Sequence, residues 1–258
     1  MPILRNAAVS EPWSEEEKCL RVDLAAAYRL VAKFGMADLV YTHLSARVPG
    51  PDITFLINPY GMMFEEITAS SLIKVDARGE PVEDTHGWPT NPAGFNIHSA
   101  VHLSGTDRHC VFHCHSINAM AVAALECGLL PISQFSIPFY NRVSYHDYEG
   151  PSLDPGERQR LLADLGYNKA MILRNHGLLT VGSTVAEAFV LMYYLEKSCE
   201  IQVKAQGTGA KVTLPSHEVC EFSARERYSE TQMTASPGAL EWPALLRKLD
   251  REEPGFRD

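Results

Sequence analysis

Runs of basic residues, long apolar segments and paired cysteines are all absent from this sequence of 258 residues. A formal net charge of -9 argues against a nucleic-acid or anionic-membrane surface, because either would need clustered Lys and Arg. No stretch reaches the roughly 18 uncharged apolar residues of a transmembrane span. The 6 cysteines include no CxxC pair, so we expect buried thiols rather than a disulfide framework or a zinc ribbon.

The start of the chain also lacks the order of a signal peptide, because Glu15, Glu16 and Glu17 precede any long apolar run. We therefore expect a cytoplasmic protein with neither nucleic acid nor membrane as a partner. An apolar content of 45% is enough for a sizeable core, and one α/β domain with a tail is expected.

Capping patterns and apolar periodicity predict alternating helices and strands. Helices are expected at 14–34 after the Ser14/Glu17 capping box, at Gly94 to Leu103, from Ser116 to Gly128, and from Thr184 to about Gln206. Strands are expected at Leu39 to Val48, Ile53 to Ile57, Leu72 to Val75, Cys110 to His113 and, as two pieces hinged at Asn175-His176-Gly177, at 171–181. The polar segment 224–237 is expected to be a loop or a lid.

The motif FHCHS places two histidines one residue apart at the end of a predicted strand. Alternate strand residues share a face about 6.5 Å apart, so His113 and His115 can direct both imidazoles at one ion while Cys114 faces away. His176 is the best candidate for a third ligand, because it also ends an apolar strand and Gly177 allows a close approach or a sharp turn. Three histidines leave positions open for water or substrate, as in catalytic metal sites. The spacing alone leaves open whether the pair binds a metal or merely ends a strand.

Eight segments resemble the class II aldolase/adducin family, in the same order from about residue 16 to 206. They are VYTHLSARV (40–48), TASSLIKVD (68–76), AGFNIHSAVH (93–102), FHCHS (112–116), ECGLLPIS (126–133), SYHDYEG (144–150), LRNHGLLTVG (173–182) and CEIQVKA (199–205). The resemblance implies a three-layer α/β/α fold around a mainly antiparallel sheet, often in a homotetramer with sites near subunit interfaces. It implies a divalent metal held by His113, His115 and His176, with Zn(II) expected first and Fe(II) or Mn(II) as alternatives. We assign 1–210 to this domain and 211–258 to a C-terminal extension that serves as a lid or an interface.

Several positions depart from the sugar-phosphate aldolases of that family. The glutamate that serves there as metal ligand and acid/base, four residues before His98, is replaced by Gly94. Two phosphate-binding serines fall at Pro92 and Ala93, and an asparagine that assists them falls at His43. These departures disfavour a phosphosugar substrate although the three histidine ligands are retained.

Further residues close to these segments are candidates for roles at the site. His98 is the candidate proton donor, although a helix-face histidine that only packs against the sheet would produce the same pattern. His43, Tyr60 and Gly61 are candidate substrate contacts in neighbouring loops. Tyr228 lies where C-terminal tyrosines reach a neighbouring subunit's site in sugar-phosphate aldolases.

Three functions remain open at this point. The first is a metal-dependent lyase that acts on a small non-phosphorylated carbonyl or carboxylate compound, by retro-aldol cleavage or decarboxylation through a metal-stabilised enolate. The second is a non-haem Fe(II) oxygenase acting on an aromatic hydroxy acid, since three histidines with open positions also suit Fe(II). The third is an adducin-like interaction module without catalysis. The long basic tail of adducins is not part of this sequence, so we favour an enzyme.

Overall fold

A computed structural model describes residues 13–150, 156–227 and 236–258, with the backbone alone for 92–94 and 227. The helices are α1 (Glu15–Lys33), α2 (Pro92–Leu103), α3 (Ile117–Ala123), α4 (Glu157–Leu165), α5 (Val185–Gly207), α6 (His217–Arg227) and α7 (Glu241–Glu252). The strands are β1 (His43–Arg47), β2 (Thr54–Ile57), β3 (Ile73–Asp76), β4 (Cys110–Cys114), β5 (Val143–His146), β6 (Ala170–Leu173) and β7 (Gly177–Gly182).

The seven strands form one sheet in the order β3-β2-β1-β4-β7-β6-β5. Every neighbouring pair is antiparallel except β5 and β6, which run parallel. Helices α1, α3 and α5 cover one face, with α7 packed on α1 and α5, and helices α2 and α4 cover the other. The predicted three-layer fold with a mainly antiparallel central sheet is therefore confirmed.

Alternation along β4 decides which layer each of its side chains meets. Phe112 and Cys114 are buried in the large core under α1, α3 and α5, and the Cys114 thiol contacts Met192. Val111 belongs instead to the smaller core under α2 and α4. Because His113 is two residues from Val111, its side chain lies on the α2/α4 face.

The two helix starts predicted from capping patterns are present, but their acidic side chains have other partners. The Ser14 hydroxyl accepts from the Glu17 backbone N–H at 3.1 Å, while the Glu17 carboxylate binds Arg21 at 3.0 Å and Lys74 at 2.7 Å. At α5, the Thr184 hydroxyl accepts from the Glu187 N–H at 3.1 Å. Both helices begin where the sequence predicts.

Two predicted elements are shorter than expected because tertiary contacts compete with local propensity. The expected strand at 39–48 begins only at His43, since Leu39 and Thr42 have φ of 49° and 65°, which belong to a turn. Helix α3 ends at Ala123 rather than near Gly128. The Ala123 carbonyl accepts instead from the backbone N–H of the distant Asn175, at 3.2 Å.

Four elements were not predicted: β5, α4, α6 and α7. Helix α6 covers the start of the segment expected to be a loop, and 228–235 lies outside the described residues. In the extension 211–258, Trp242, Leu249 and Phe256 are buried in the large core. The role of the extension as a lid or an interface stays a prediction.

The six cysteines are free thiols. Four are buried as predicted, namely Cys110, Cys114, Cys199 and Cys220. The expectation is wrong for Cys19 and Cys127, which are exposed, because Cys19 lies on an outward position of α1 and Cys127 follows α3 in a loop.

Candidate metal centre

Three histidines meet where β4 ends and where the chain turns from β6 into β7. Ligand nitrogens of His113, His115 and His176 all lie within 4.8 Å of one another. Their ring centroids are 4.6 to 4.9 Å apart. The pairing of β4 with β7, and of β7 with β6, therefore brings together residues that are far apart in the sequence.

The turn that carries His176 is held by the end of helix α3. Asn175 has a φ of 55°, a conformation that Asn tolerates better than most residues, and its N–H donates to the Ala123 carbonyl at 3.2 Å. The guanidinium of Arg174 donates to the Leu125 carbonyl at 2.6 Å. The first bond satisfies a carbonyl that the end of helix α3 leaves open, the second ties the turn to the loop after the helix, and together they fix the start of the turn.

Gly177 completes the turn through close packing and not through a special φ. A Cβ at this position would lie 2.3 Å from the Cys114 carbonyl oxygen and 3.2 Å from Cδ2 of His115. The backbone next to His115 and the backbone next to His176 can therefore pack this closely only because residue 177 has no side chain. The expectation of a close approach at Gly177 is confirmed.

The hydrogen bonds of the cluster test whether it fits a metal ion. Nδ1 of His113 donates to the Leu178 carbonyl at 2.9 Å, and Nδ1 of His115 donates to the Asp38 carboxylate at 3.0 Å. Both Nε2 atoms consequently carry a lone pair when the rings are neutral, and they face each other at 2.9 Å. Two lone pairs at that distance do not bond to each other, whereas a cation between them would bind both. The residues fit a divalent metal.

Burial keeps the rings of His113 and His176 neutral, which is the form that binds metal. Burial, followed by the neighbouring histidines, holds the pKa of His113 well below its usual range. Burial, followed by the neighbouring His115, lowers the pKa of His176 to about 4. These two ligands therefore need no deprotonation near neutral pH.

Asp38 was not predicted as part of the site. It reaches His115 from the turn before β1, in which Leu39 and Thr42 have positive φ. Carboxylates that accept from the second nitrogen of a ligating histidine orient the ring and raise its basicity. No motif in the sequence marks this contact, because it depends on the path of a turn that composition alone assigns to a strand.

We expect Asp38→Asn to weaken Zn(II) binding by about tenfold, because the amide can still accept the hydrogen bond but carries no charge. Competition titration against a chelating dye would measure the change. Asp52→Asn, on an exposed loop, is the matched control and should bind as the parent does. Equal affinity in all three proteins would contradict the role of Asp38.

His98 lies on α2 and is buried, with 1% of its surface exposed. Its Nδ1 is 2.7 Å from the Ser45 hydroxyl, which is also 2.7 Å from Nε2 of His102. Nδ1 of His102 is in turn 2.7 Å from the carbonyl oxygen of Arg108. Four groups from β1, α2 and the loop after it therefore form one chain of hydrogen bonds.

His43 connects this chain with the three-histidine cluster. Its ring packs against that of His98 at a tilt of 35°, with centroids 3.9 Å apart, and in the sheet its Cα is paired with that of His113. Cross-strand partners point to the same face of a sheet. His43, His98 and His113 thus line one strip of the α2/α4 face.

The burial of His102 predicts a pH-dependent stability. Burial is the main cause that lowers its pKa to about 3, opposed by the bond to Arg108, so the folded protein keeps the ring neutral. In the unfolded chain the His102 ring takes up a proton below about pH 6.5. The contribution of the buried neutral ring to the free energy of unfolding is therefore complete above that pH and is lost as pH falls toward 3. Between pH 7.5 and 5 the loss is about 2 kcal/mol.

Urea denaturation with chelator present, at pH 7.5 and 5, measures this effect. In His102→Gln, the difference in free energy of unfolding between the two pH values should be about 2 kcal/mol smaller than in the parent. His86→Gln, which removes a histidine whose side chain is 74% exposed, is the control and should leave the difference close to that of the parent. A parent-like pH dependence in His102→Gln would show that His102 is not the cause.

The remaining candidate residues lie outside the cluster. Tyr60 follows β2, with its ring 6.4 Å from that of Tyr41, and a Cβ at Gly61 would meet Trp88 at 3.8 Å. Gly94 lies in the first turn of α2, and the three-histidine group includes no carboxylate. Tyr228 lies outside the described residues. The substrate contacts assigned to His43, Tyr60, Gly61 and Tyr228 stay predictions.

Comparisons with known proteins agree with this architecture. The model of the class II aldolase and adducin N-terminal domain matches residues 22–203. A solved aldolase II superfamily protein from Pseudomonas syringae is 48% identical, with a TM-score of 0.90 over 95% of this chain and 98% of that one. L-fuculose 1-phosphate aldolase from Glaciozyma antarctica PI12 is 29% identical, with a TM-score of 0.82 over 98% of this chain and 99% of that one. Alpha-adducin of Rattus norvegicus is 39% identical over 92% of this chain and 34% of the adducin.

The chain belongs to the class II aldolase and adducin family. This membership confirms the resemblance seen in the sequence motifs. Among the described residues, none of the helices has the length and apolar character needed to cross a membrane.

Proposed function

We propose that the chain is a metal-dependent lyase that acts on a small, non-phosphorylated carbonyl or carboxylate compound. The observation that carries the proposal is the convergence of His113, His115 and His176, each at the end of a strand. Membership of the class II aldolase family supports a lyase with a divalent metal, and a TM-score of 0.82 to a fuculose-phosphate aldolase supports cleavage next to a carbonyl.

His113, His115 and His176 would hold the ion through Nε2 of the first two and a ring nitrogen of the third. Zn(II) is the expected metal, with Fe(II) and Mn(II) as alternatives, because imidazole nitrogens suit all three. Neutral ligands leave the ion its full charge, so when bound it would stabilise the enolate that forms as a bond next to a carbonyl breaks. Asp38 and the Leu178 carbonyl would orient the two imidazoles of β4.

The residues around the cluster favour a substrate without a phosphate group. Pro92, Ala93 and Gly94 stand where sugar-phosphate aldolases have two phosphate-binding serines and the acid/base glutamate. His43, at the position of the assisting asparagine, is buried and packs against the ring of His98. We assign proton transfer to His98 and substrate contacts to His43, Tyr60, Gly61 and Tyr228. Tyr228 would be supplied by a neighbouring subunit of a homotetramer.

Metal analysis of the full chain, purified without added metal, tests the proposal first. About one divalent ion per chain is expected, followed by metal-dependent cleavage within a panel of β-hydroxy carbonyl and β-keto acid compounds. The panel is run in an oxygen electrode with Zn(II), Mn(II) and Fe(II) in turn. Protein that binds none of these ions would overturn the proposal.

The same experiment separates two other functions. An identity of 39% to alpha-adducin favours an interaction module as the second candidate, and bound metal without turnover of any panel compound would support it. Oxygen uptake that needs both Fe(II) and an aromatic hydroxy acid would replace the lyase with an oxygenase. Cleavage at an unchanged oxygen level is the result that the lyase predicts.

A further inference from the structure

The chain of hydrogen bonds from His98 to Arg108 can run in only one direction. The Arg108 carbonyl is an acceptor, so Nδ1 of His102 carries the hydrogen and its Nε2 is an acceptor in the neutral ring. The single hydroxyl hydrogen of Ser45 is then donated to His102. Ser45 can only accept from His98, and the hydrogen of His98 therefore lies on Nδ1.

The other nitrogen of His98 follows from this direction. A neutral imidazole carries one hydrogen, so Nε2 of His98 has a lone pair. Burial, followed by the charges of neighbouring histidines, keeps the pKa of His98 well below its usual range and so supports the neutral form. Nε2 is buried and has no hydrogen-bond partner among the described residues. It lies on the strip of the sheet that His43 and His113 share.

We propose that Ser45 and His102 are positioning residues that hold His98 as a hydrogen-bond acceptor, so that His98 is the general base of the reaction and not its first proton donor. The proposal rests on the lyase function and narrows it. Neither Ser45 nor His102 touches substrate. Their role is to exclude the tautomer that carries hydrogen on Nε2, which a free histidine side chain adopts more often.

A lone pair on Nε2 of His98, which can accept a proton from the substrate, favours retro-aldol cleavage of a β-hydroxy carbonyl compound over decarboxylation. In retro-aldol cleavage Nε2 takes the proton of the hydroxyl, the O–H electrons form the new C=O bond, and the C–C electrons pass into the enolate. The imidazolium then returns the proton to the enolate carbon, so protons and electrons balance. Decarboxylation removes carbon dioxide first and needs a ring that already holds a proton on Nε2.

NMR of the full chain labelled with ¹⁵N-histidine tests the tautomer directly and needs no substrate. Long-range ¹H–¹⁵N correlations at pH 7.5 distinguish hydrogen on Nδ1 from hydrogen on Nε2, and the signals missing in His98→Gln assign the residue. The expected result for the parent is hydrogen on Nδ1 of His98. Hydrogen on Nε2, or a cationic ring, would overturn the proposal.

Two variants test whether the hydrogen bonds through Ser45 and His102 impose this tautomer on His98. Ser45→Ala removes the acceptor, and His102→Phe leaves the Ser45 hydroxyl free to donate to His98, so both should move His98 toward hydrogen on Nε2. In Ser45→Ala, His102 should keep its hydrogen on Nδ1 because Arg108 still accepts, which provides an internal control. Ser99→Ala removes the neighbouring serine on α2, whose hydroxyl donates to Asn96, and should leave His98 unchanged.

If His98 kept its hydrogen on Nδ1 in both Ser45→Ala and His102→Phe, the hydrogen bonds through Ser45 and His102 would not be what sets its tautomer. A Zn(II) titration on the same samples keeps this inference separate from the lyase proposal. Protein that binds no metal but has the expected tautomer refutes the lyase proposal and with it the role of His98 as a base, while the control of its tautomer by Ser45 and His102 stands. Protein that binds metal with hydrogen on Nε2 of His98 refutes the inference alone.

Discussion

His113→Ala should lower the affinity for Zn(II) by more than about a hundredfold and abolish metal-dependent turnover. Loss of an outer partner of a ligating histidine typically costs 10- to 100-fold, and loss of the ligand itself should exceed that range. His113 holds the most buried position in the cluster, between the Leu178 carbonyl and His115. Isothermal titration with Zn(II), together with metal content after gel filtration, measures the effect.

His115→Ala supplies a second variant, because this less buried ring leaves a smaller cavity and should keep the fold intact. Both variants are compared with His109→Ala, which removes an exposed histidine from the loop before β4 and should bind Zn(II) as the parent does. If a folded His115→Ala and a folded His113→Ala both retained parental affinity, the ion would have to bind elsewhere.

Gly177→Ala should destabilise the protein by about 3 kcal/mol and weaken metal binding at the same time. Forced overpacking costs about 1–3 kcal/mol where neighbours can move, and here the nearest atom, at 2.3 Å, belongs to the backbone of Cys114. The strand end that carries His115 must then move away from the turn that carries His176. Denaturation in the presence of chelator and Zn(II) titration give the two quantities separately.

The matched control is Gly207→Ala, at the last residue of α5, where a Cβ would have no neighbour within 4 Å. Alanine is preferred over glycine in a helix, so this variant should be unchanged or slightly more stable. A Gly177→Ala protein with parental stability would mean that the backbone can separate here without cost, and the proposed close packing would have no energetic role.

The sequence predicts the three-histidine cluster because each part of it is local. Alternation along a strand puts His113 and His115 on one face, and an apolar run followed by His-Gly marks the second strand end. The pairing of β4 with β7, which brings His176 to them, is a contact between distant segments that the sequence does not predict.

Contacts between distant segments account for what sequence reasoning missed. Asp38 reaches His115 through left-handed residues in a run whose composition favours a strand. The resting form of His98 depends on Ser45, which is 53 residues away in the chain. Helix α7 does have apolar residues at helical spacing in Trp242, Leu246 and Leu249, but the Pro243 beside Trp242 obscures the pattern although the first turn tolerates it.

The turn between β6 and β7 links metal binding to the stability of the fold. An ion bound by both His115 and His176 would act as a cross-link, closing a segment of about sixty residues that includes α3, β5, α4 and β6. Binding to the folded chain alone adds about 2.7 kcal/mol of stability when free metal is at 100 times its dissociation constant. The thermal midpoint would then report the free metal concentration.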